Sequence, residues 1–198
     1  MIQQAKEARD VGLALIGYFY FDFRDSAKQD VHSLLSSLLA QFSAKSDSCY
    51  HILSDLYSEH DAGSQQPDCH ALTECLKKML KLPGLPPIYI IVDALDECPD
   101  TSGVVSPRER VLELIEELVH LHLPNLHLCI TSRPEADIRS TLDPLASYTM
   151  SLHNQTGQNK DIVDYINSVV HSDRKMRRWR AEDKQLVIDT LSQKAGGM

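Results

Sequence analysis

The 198-residue sequence has few cysteines and no apolar run long enough to cross a membrane. Its five cysteines are odd in number and form no CxxC pair, which argues against a disulfide framework. Reduced thiols of this kind are typical of cytoplasmic proteins, and we predict that location. The longest apolar run, Val11–Phe21, has about half the length of a membrane-spanning helix, so we expect no membrane span.

Basic residues are also scarce, with 20 Lys and Arg against 28 Asp and Glu and a formal net charge of −8. Contacts to a phosphate backbone need a basic face, so we expect no nucleic-acid partner. One stretch, Arg174–Arg180, is basic and contains Trp179. It fits either a surface that touches nucleic acid or anionic lipid, or a solvated linker with Trp179 as a packing anchor; in an acidic chain we favour the linker.

The sequence does contain an alternation of short apolar runs and amphipathic stripes. The runs predict strands at residues 13–23, 88–92, 126–130 and 147–152. The stripes predict helices at residues 2–9, 30–42, 72–80, 108–124, 136–142, 159–170 and 182–194, with a short helix around residues 52–57. This order predicts an α/β fold, an open and mostly parallel sheet with helices on both faces.

Acidic and basic side chains follow three of these predicted strands, in the sequences FRD, VDALDE and TSRPE. Ligands of open parallel sheets bind at the carboxyl ends of the strands. Asp93 at such an end is suited to orient Mg²⁺ and its waters on a nucleotide phosphate, and Asp96 and Glu97 to polarise an attacking water. The competing interpretation is that all three are ordinary turn and capping residues.

Arg133 follows the third of these strands, where a guanidinium can bind a terminal phosphate through a fork of donors. The competing interpretation is a surface arginine paired with Glu135 or Asp137. A phosphate-binding loop of the GxxxxGK[ST] type is absent from the sequence. Gly12 and Gly17 have the required separation, but aromatic residues follow where Lys and Ser or Thr must stand.

In their order along the chain, FYFDFRD, a Leu-rich helix, IYIIVDALDECP, LHLCITSRPEADIR and a closing DIVDYI…LSQKAGGM resemble the NACHT module of STAND-class P-loop NTPases. The resemblance is to the fungal, nephrocystin-like N-terminal version found in large receptor proteins with ankyrin or WD-type repeats. It implies that Asp93 is the Walker B magnesium acid, Asp96 and Glu97 the hydrolytic acids, and Arg133 the sensor residue.

The resemblance also implies that the family's Walker A loop precedes the helix at residues 2–9. We therefore expect an incomplete P-loop NTPase-like sheet that lacks its central first strand. Residues 1–155 would form a truncated nucleotide-binding core, and residues 156–198 would begin a C-terminal helical extension.

The function that the resemblance implies is a fragment of a signal-transducing switch that binds and hydrolyses ATP or GTP with Mg²⁺ in the intact family. Without the loop, we expect the chain alone to bind neither Mg²⁺ nor nucleotide. The alternative is a non-catalytic, NACHT-derived scaffold for protein interaction. Expected partners are the other domains of a larger receptor-like protein, including a repeat domain, and a second copy of the chain.

Overall fold

A computed structural model describes residues 14–60, 63–101, 105–151 and 156–195, without the side chains of residues 156–160 and 193–195. The predicted helix at residues 2–9 lies outside the described residues. The chain divides into two compact units, with the boundary between Ala146 and Ser147. Our division into residues 1–155 and 156–198 stays a prediction.

The first unit contains three strands and five α-helices among its described residues. In chain order these are β1 (Leu15–Tyr20), α1 (Val31–Ser43), α2 (Asp47–Glu59), α3 (Cys69–Leu80), β2 (Ile88–Asp93), α4 (Pro107–His120), β3 (Leu126–Ile130) and α5 (Ala136–Leu142). The strands form a parallel sheet in the order β1-β2-β3, with Gly17 opposite Ile90 and Ile90 opposite Leu128. The predicted α/β class and parallel pairing are confirmed.

Local sequence signals explain where the helices begin. Helix α4 starts with a capping box, in which the Ser106 hydroxyl accepts from the Glu109 amide and the Glu109 carboxylate accepts from the Ser106 amide. Pro107 occupies the first turn, where its missing N–H costs nothing. The carboxylate of Asp30 caps α1 by accepting from the Ser33 amide at 2.7 Å. These caps satisfy amides that the helices themselves leave unpaired.

One face of the sheet is packed against helices. Its inward side chains on β2 are fully buried, and they meet apolar side chains of α1 and α4. Helix α1 also passes so close to β1 that a Cβ at Gly17 would lie 2.8 Å from atoms of Leu38 and Phe42. Glycine at this position therefore allows the helix and the strand to approach each other.

The second face of the sheet exposes side chains to solvent, among them Tyr18, Tyr20, Tyr89 and Cys129. The helices α1 and α4 contact the first face, and the prediction of helices on both faces stays a prediction, because the helix expected at residues 2–9 lies outside the described residues. In the first unit the chain passes from β1 to β2 to β3 in one direction across the sheet. Successive right-handed crossovers in one direction place their helices on the same face.

The predicted fourth strand is not formed by its described residues, 147–151, and Leu152 lies outside the described residues. Tyr148 in this segment is 78% exposed. Among the described residues no strand pairs with the outer edge of β3. The inward side chains of β3 are only half-buried, whereas those of β2 are buried, as expected for a strand at an edge.

The second unit contains α6 (Thr156–Ser172) and α7 (Ala181–Ala195), joined through a single 3₁₀ turn at Met176–Arg178. The two helices contact each other, and Val170 of α6 and Ile188 of α7 are buried. Throughout the residues that the structure describes, no helix combines the length and the apolar character needed to cross a membrane.

Candidate functional site

The tips of β2 and β3 are held together by the hydroxyl group of Thr131. This hydroxyl donates to a carboxylate oxygen of Asp93 and accepts from the Ala94 amide at 3.1 Å. The backbone amides of Leu95 and Thr131 add hydrogen bonds between the same two tips. Ala94 has a φ of 54°, a left-handed conformation that non-glycine residues seldom adopt. Asp93 is therefore fixed at the carboxyl edge of the sheet.

Asp96 and Arg133 form the second contact between these tips. The backbone amide of Arg133 donates to Asp96 Oδ1 at 3.0 Å, and Arg133 Nε lies 3.4 Å from Asp96 Oδ2. The Asp96 side chain is only 11% exposed, whereas that of Arg133 is 79% exposed. Among the described residues, Arg133 forms no ion pair with Glu135 or Asp137, the two partners proposed for a merely structural arginine.

Glu97 connects the third predicted tip, FRD, to the same edge. Its Oε2 atom accepts from the backbone amide of Phe23 at 3.2 Å, in the loop that follows β1. Arg24 in that loop pairs with Asp22 at 3.2 Å, and its backbone amide and guanidinium lower the pKa of the Asp22 carboxyl. All three predicted tips thus meet at one edge of the sheet.

Arg108 is an important residue that our sequence reasoning missed. Its buried guanidinium donates to the carbonyl of Asp96 at 2.7 Å, to the carbonyl of Cys98 at 2.9 Å and to the carboxylate of Asp137 at 3.2 Å. The available signal was its position in the apolar stripe of α4, three residues before Val111 and four before Leu112. It holds the acidic turn after β2 against α4 and α5.

Cys98 follows the acidic turn and is completely buried. Its thiol donates to the carbonyl of Gln29 at 3.3 Å. Burial raises the pKa of Cys98 to about 12. Because a thiol with so high a pKa carries almost no thiolate at neutral pH, Cys98 is a structural residue and not a nucleophile.

The acidic residues of this site could supply Mg²⁺ with one carboxylate ligand, but not with a complete set of ligands. Within the described residues no three His, Cys, Asp or Glu side chains are grouped to hold a metal ion. The Thr131 hydroxyl occupies one oxygen of Asp93, and no described residue donates to the other. Mg²⁺ is usually bound by one or two carboxylates, with waters and substrate phosphates as the remaining ligands. The arrangement therefore offers Mg²⁺ one free carboxylate oxygen, and the other ligands would have to come from elsewhere.

A protein-family model described as "Nephrocystin 3, N-terminal" matches residues 1–133, about two thirds of the chain. The matched region contains all three strands and the site residues Asp93, Asp96, Glu97 and Arg133. Comparison with curated proteins and with solved structures gives no match.

Proposed function

Because the chain belongs to the nephrocystin 3 N-terminal family, we propose that it is part of a signal-transducing switch that binds and hydrolyses ATP or GTP with Mg²⁺ in the intact protein. The observation that carries the proposal is the meeting of three acids, a threonine hydroxyl and an arginine at the carboxyl edge of a parallel sheet. That edge is where open α/β sheets bind their ligands.

In this proposal the acids have different tasks. Asp93 would hold Mg²⁺ through water, and the ion would supply neutralisation of phosphate charge. Glu97 activates the attacking water, since no described residue donates to its Oε1 atom. Asp96 acts with it by holding the loop that carries Arg133.

Arg133 is placed to distinguish a triphosphate from a diphosphate. Among the described residues, its exposed guanidinium has one carboxylate partner, Asp96, at a long 3.4 Å. Compared with the Asp96 carboxylate, a terminal phosphate carries more negative charge and can accept shorter, bidentate hydrogen bonds from a guanidinium. When a triphosphate is bound, the Arg133 side chain therefore leaves Asp96 and binds the terminal phosphate. The accompanying change in the loop after β3 transmits the nucleotide state to the rest of the protein.

The second candidate function is a non-catalytic scaffold, favoured by the absence of a GxxxxGK[ST] loop from the sequence. Such a loop supplies the backbone amides and the lysine that bind the β- and γ-phosphates. Reading the genomic sequence upstream of Met1 distinguishes the two functions. A strand followed by this loop in frame supports the switch, and a true start at Met1 supports the scaffold.

The decisive experiment compares this chain with a protein extended by the upstream coding sequence. A fluorescent nucleotide should bind only the extended protein with low-micromolar affinity. In that protein Asp93→Asn should weaken Mg-nucleotide binding, and Glu97→Gln should spare binding but slow turnover by about 10²- to 10⁴-fold. Arg133→Ala should lose discrimination between di- and triphosphate, whereas the control Arg139→Ala, on the surface of α5, should retain it.

Two results would contradict this assignment. Wild-type turnover in the double variant Asp96→Asn, Glu97→Gln would show that these acids do not activate water. Low-micromolar binding of the nucleotide to the present chain would show that the missing loop is not needed.

A further inference from the structure

The turn between α6 and α7 concentrates positive charge in an otherwise acidic chain. Its residues Arg174–Arg180, here called the basic turn, include five of the 20 basic residues and no acidic one. The remaining 15 basic residues share the rest of the chain with all 28 acidic residues. The basic turn therefore differs sharply from its surroundings in charge.

All five basic side chains of this turn are exposed, and none forms an ion pair with any residue that the structure describes. The backbone that carries them is nevertheless ordered by hydrogen bonds. The Lys175 amide donates to the carboxylate of Asp173 at 2.7 Å, and the Trp179 amide donates to the carbonyl of Met176 at 3.1 Å. The five cations are thus carried by a hydrogen-bonded turn and are solvated in the free chain, as the linker interpretation expects.

Trp179 lies within the same turn and is 43% exposed. Part of the indole is thus open to solvent, and the expectation that Trp179 packs as an anchor stays a prediction. The indole of Trp179 has an apolar ring and a polar N–H group, and it lies in the same turn as unpaired guanidinium groups. Such side chains favour the boundary between water and the lipid headgroups of a membrane.

We propose that the basic turn docks on an anionic phospholipid surface, with its cations on headgroup phosphates and Trp179 at the interface. This surface function is independent of the proposed nucleotide switch. The potential of an anionic leaflet reaches about one Debye length, ~8 Å, and a seven-residue turn presents its five cations within a small area. Four of the five are arginines, whose planar guanidinium groups suit bidentate contact with phosphate.

Nucleic acid is the less suitable partner for the same turn. Binding of single strands uses several aromatic side chains on which successive bases stack, and this turn contains one. Double strands require a basic face, whereas the rest of this chain carries an excess of acids. The observations therefore favour a lipid surface, which needs no groove and no series of stacking residues.

The experiment uses the intrinsic fluorescence of Trp179, which is the only tryptophan in the chain. Vesicles of phosphatidylcholine with added phosphatidylserine should shift its emission to shorter wavelength, and high salt should reverse the shift. Vesicles of phosphatidylcholine alone should leave the emission unchanged. The double variant Arg177→Gln, Arg178→Gln should bind the anionic vesicles about 30-fold more weakly.

The matched control is the double variant Lys45→Gln, Arg110→Gln, which removes two exposed cations from the first unit and should bind as the wild type does. Circular dichroism shows that both double variants are folded. Three outcomes would overturn the proposal: no shift with anionic vesicles, an equal shift with neutral vesicles, or unchanged binding by the basic-turn variant. A tighter complex with single-stranded RNA than with anionic vesicles would overturn it in favour of nucleic acid.

Discussion

Replacing Arg108 by methionine should release the acidic turn that follows β2. Methionine keeps the aliphatic packing of the side chain but leaves the carbonyl oxygens of Asp96 and Cys98 without their donor. Each buried carbonyl left unsatisfied costs about 1–3 kcal/mol. The ion pair with Asp137 adds no more than ~1 kcal/mol, because the Asp137 side chain is 40% exposed. We therefore expect a loss of about 2–6 kcal/mol, most of it from the two carbonyls.

Alkylation of the Cys98 thiol, followed by mass spectrometry, measures this loss. Tryptophan fluorescence does not serve here, because Trp179 belongs to the second unit. Cys98 is completely buried and its pKa is about 12, so it reacts only when the turn opens. A loss of 2 kcal/mol accelerates labelling of the Arg108→Met variant about 30-fold, and larger losses accelerate it further.

The direction of the change in labelling rate distinguishes opening of the turn from a direct electrostatic effect of Arg108 on the Cys98 thiol. The positive charge of Arg108 lowers the pKa of Cys98 against the larger effect of burial, so removing the charge alone would raise this pKa and slow the labelling. Arg110→Met is the matched control, since Arg110 lies exposed on the same helix. Equal labelling rates in the two variants would refute the reasoning. If Asp137→Asn accelerated labelling as much as Arg108→Met, the ion pair rather than the carbonyls would hold the turn.

Three further predictions concern the first unit and the segment after it. Gly17→Ala should destabilise the chain by about 1–3 kcal/mol in urea denaturation, because its methyl group would lie 2.8 Å from buried atoms of α1; an unchanged midpoint would contradict this packing. Burial raises the pKa of Cys75 to about 11 and that of Cys98 to about 12, from about 9 when unfolded, so the contribution of these two thiols to the free energy of unfolding should be constant below pH 9 and fall as the pH rises from 9 towards 12. Replacing both thiols by serine or alanine should remove that alkaline fall. In hydrogen exchange of the monomer, the amides of Tyr148–Ser151 should exchange much faster than those of β2, and equal protection would show that the segment is held in a sheet.

Much of the fold could be predicted from the sequence, because the signals for these elements are local. Five apolar residues, Ile88–Val92, predict β2, which the structure extends by one residue to Asp93. Residues 136–142 predict α5 with the observed bounds. Helix α2, predicted only around residues 52–57, spans Asp47–Glu59, because the Ser46 hydroxyl caps it by accepting from the Cys49 amide. This helix is mostly polar, so its apolar stripe predicted only its centre.

The site could be predicted to the level of strand ends but not of individual contacts. Parallel strands bring their carboxyl ends to one edge whatever their loops contain, so the meeting of FRD, VDALDE and TSRPE follows from the topology. The pairing of Arg133 with Asp96, and not with its sequence neighbours, depends on the conformation of two loops that no periodicity encodes. Arg108 was missed because a charged residue at the start of an amphipathic helix usually faces solvent.

The predicted fourth strand failed for a related reason, since a strand requires a neighbour as well as a suitable sequence. Residues 147–151 alternate polar and apolar side chains, as a half-buried strand does. Yet these residues pair with no described strand, and no described strand pairs with the outer edge of β3. The same missing neighbour explains why the inward side chains Leu126, Leu128 and Ile130 are half-buried while those of β2 are buried. Since Thr131 and Arg133 directly follow β3, the proposed site lies beside the least covered strand of the sheet, and pairing at that edge would stiffen the residues on which the site depends.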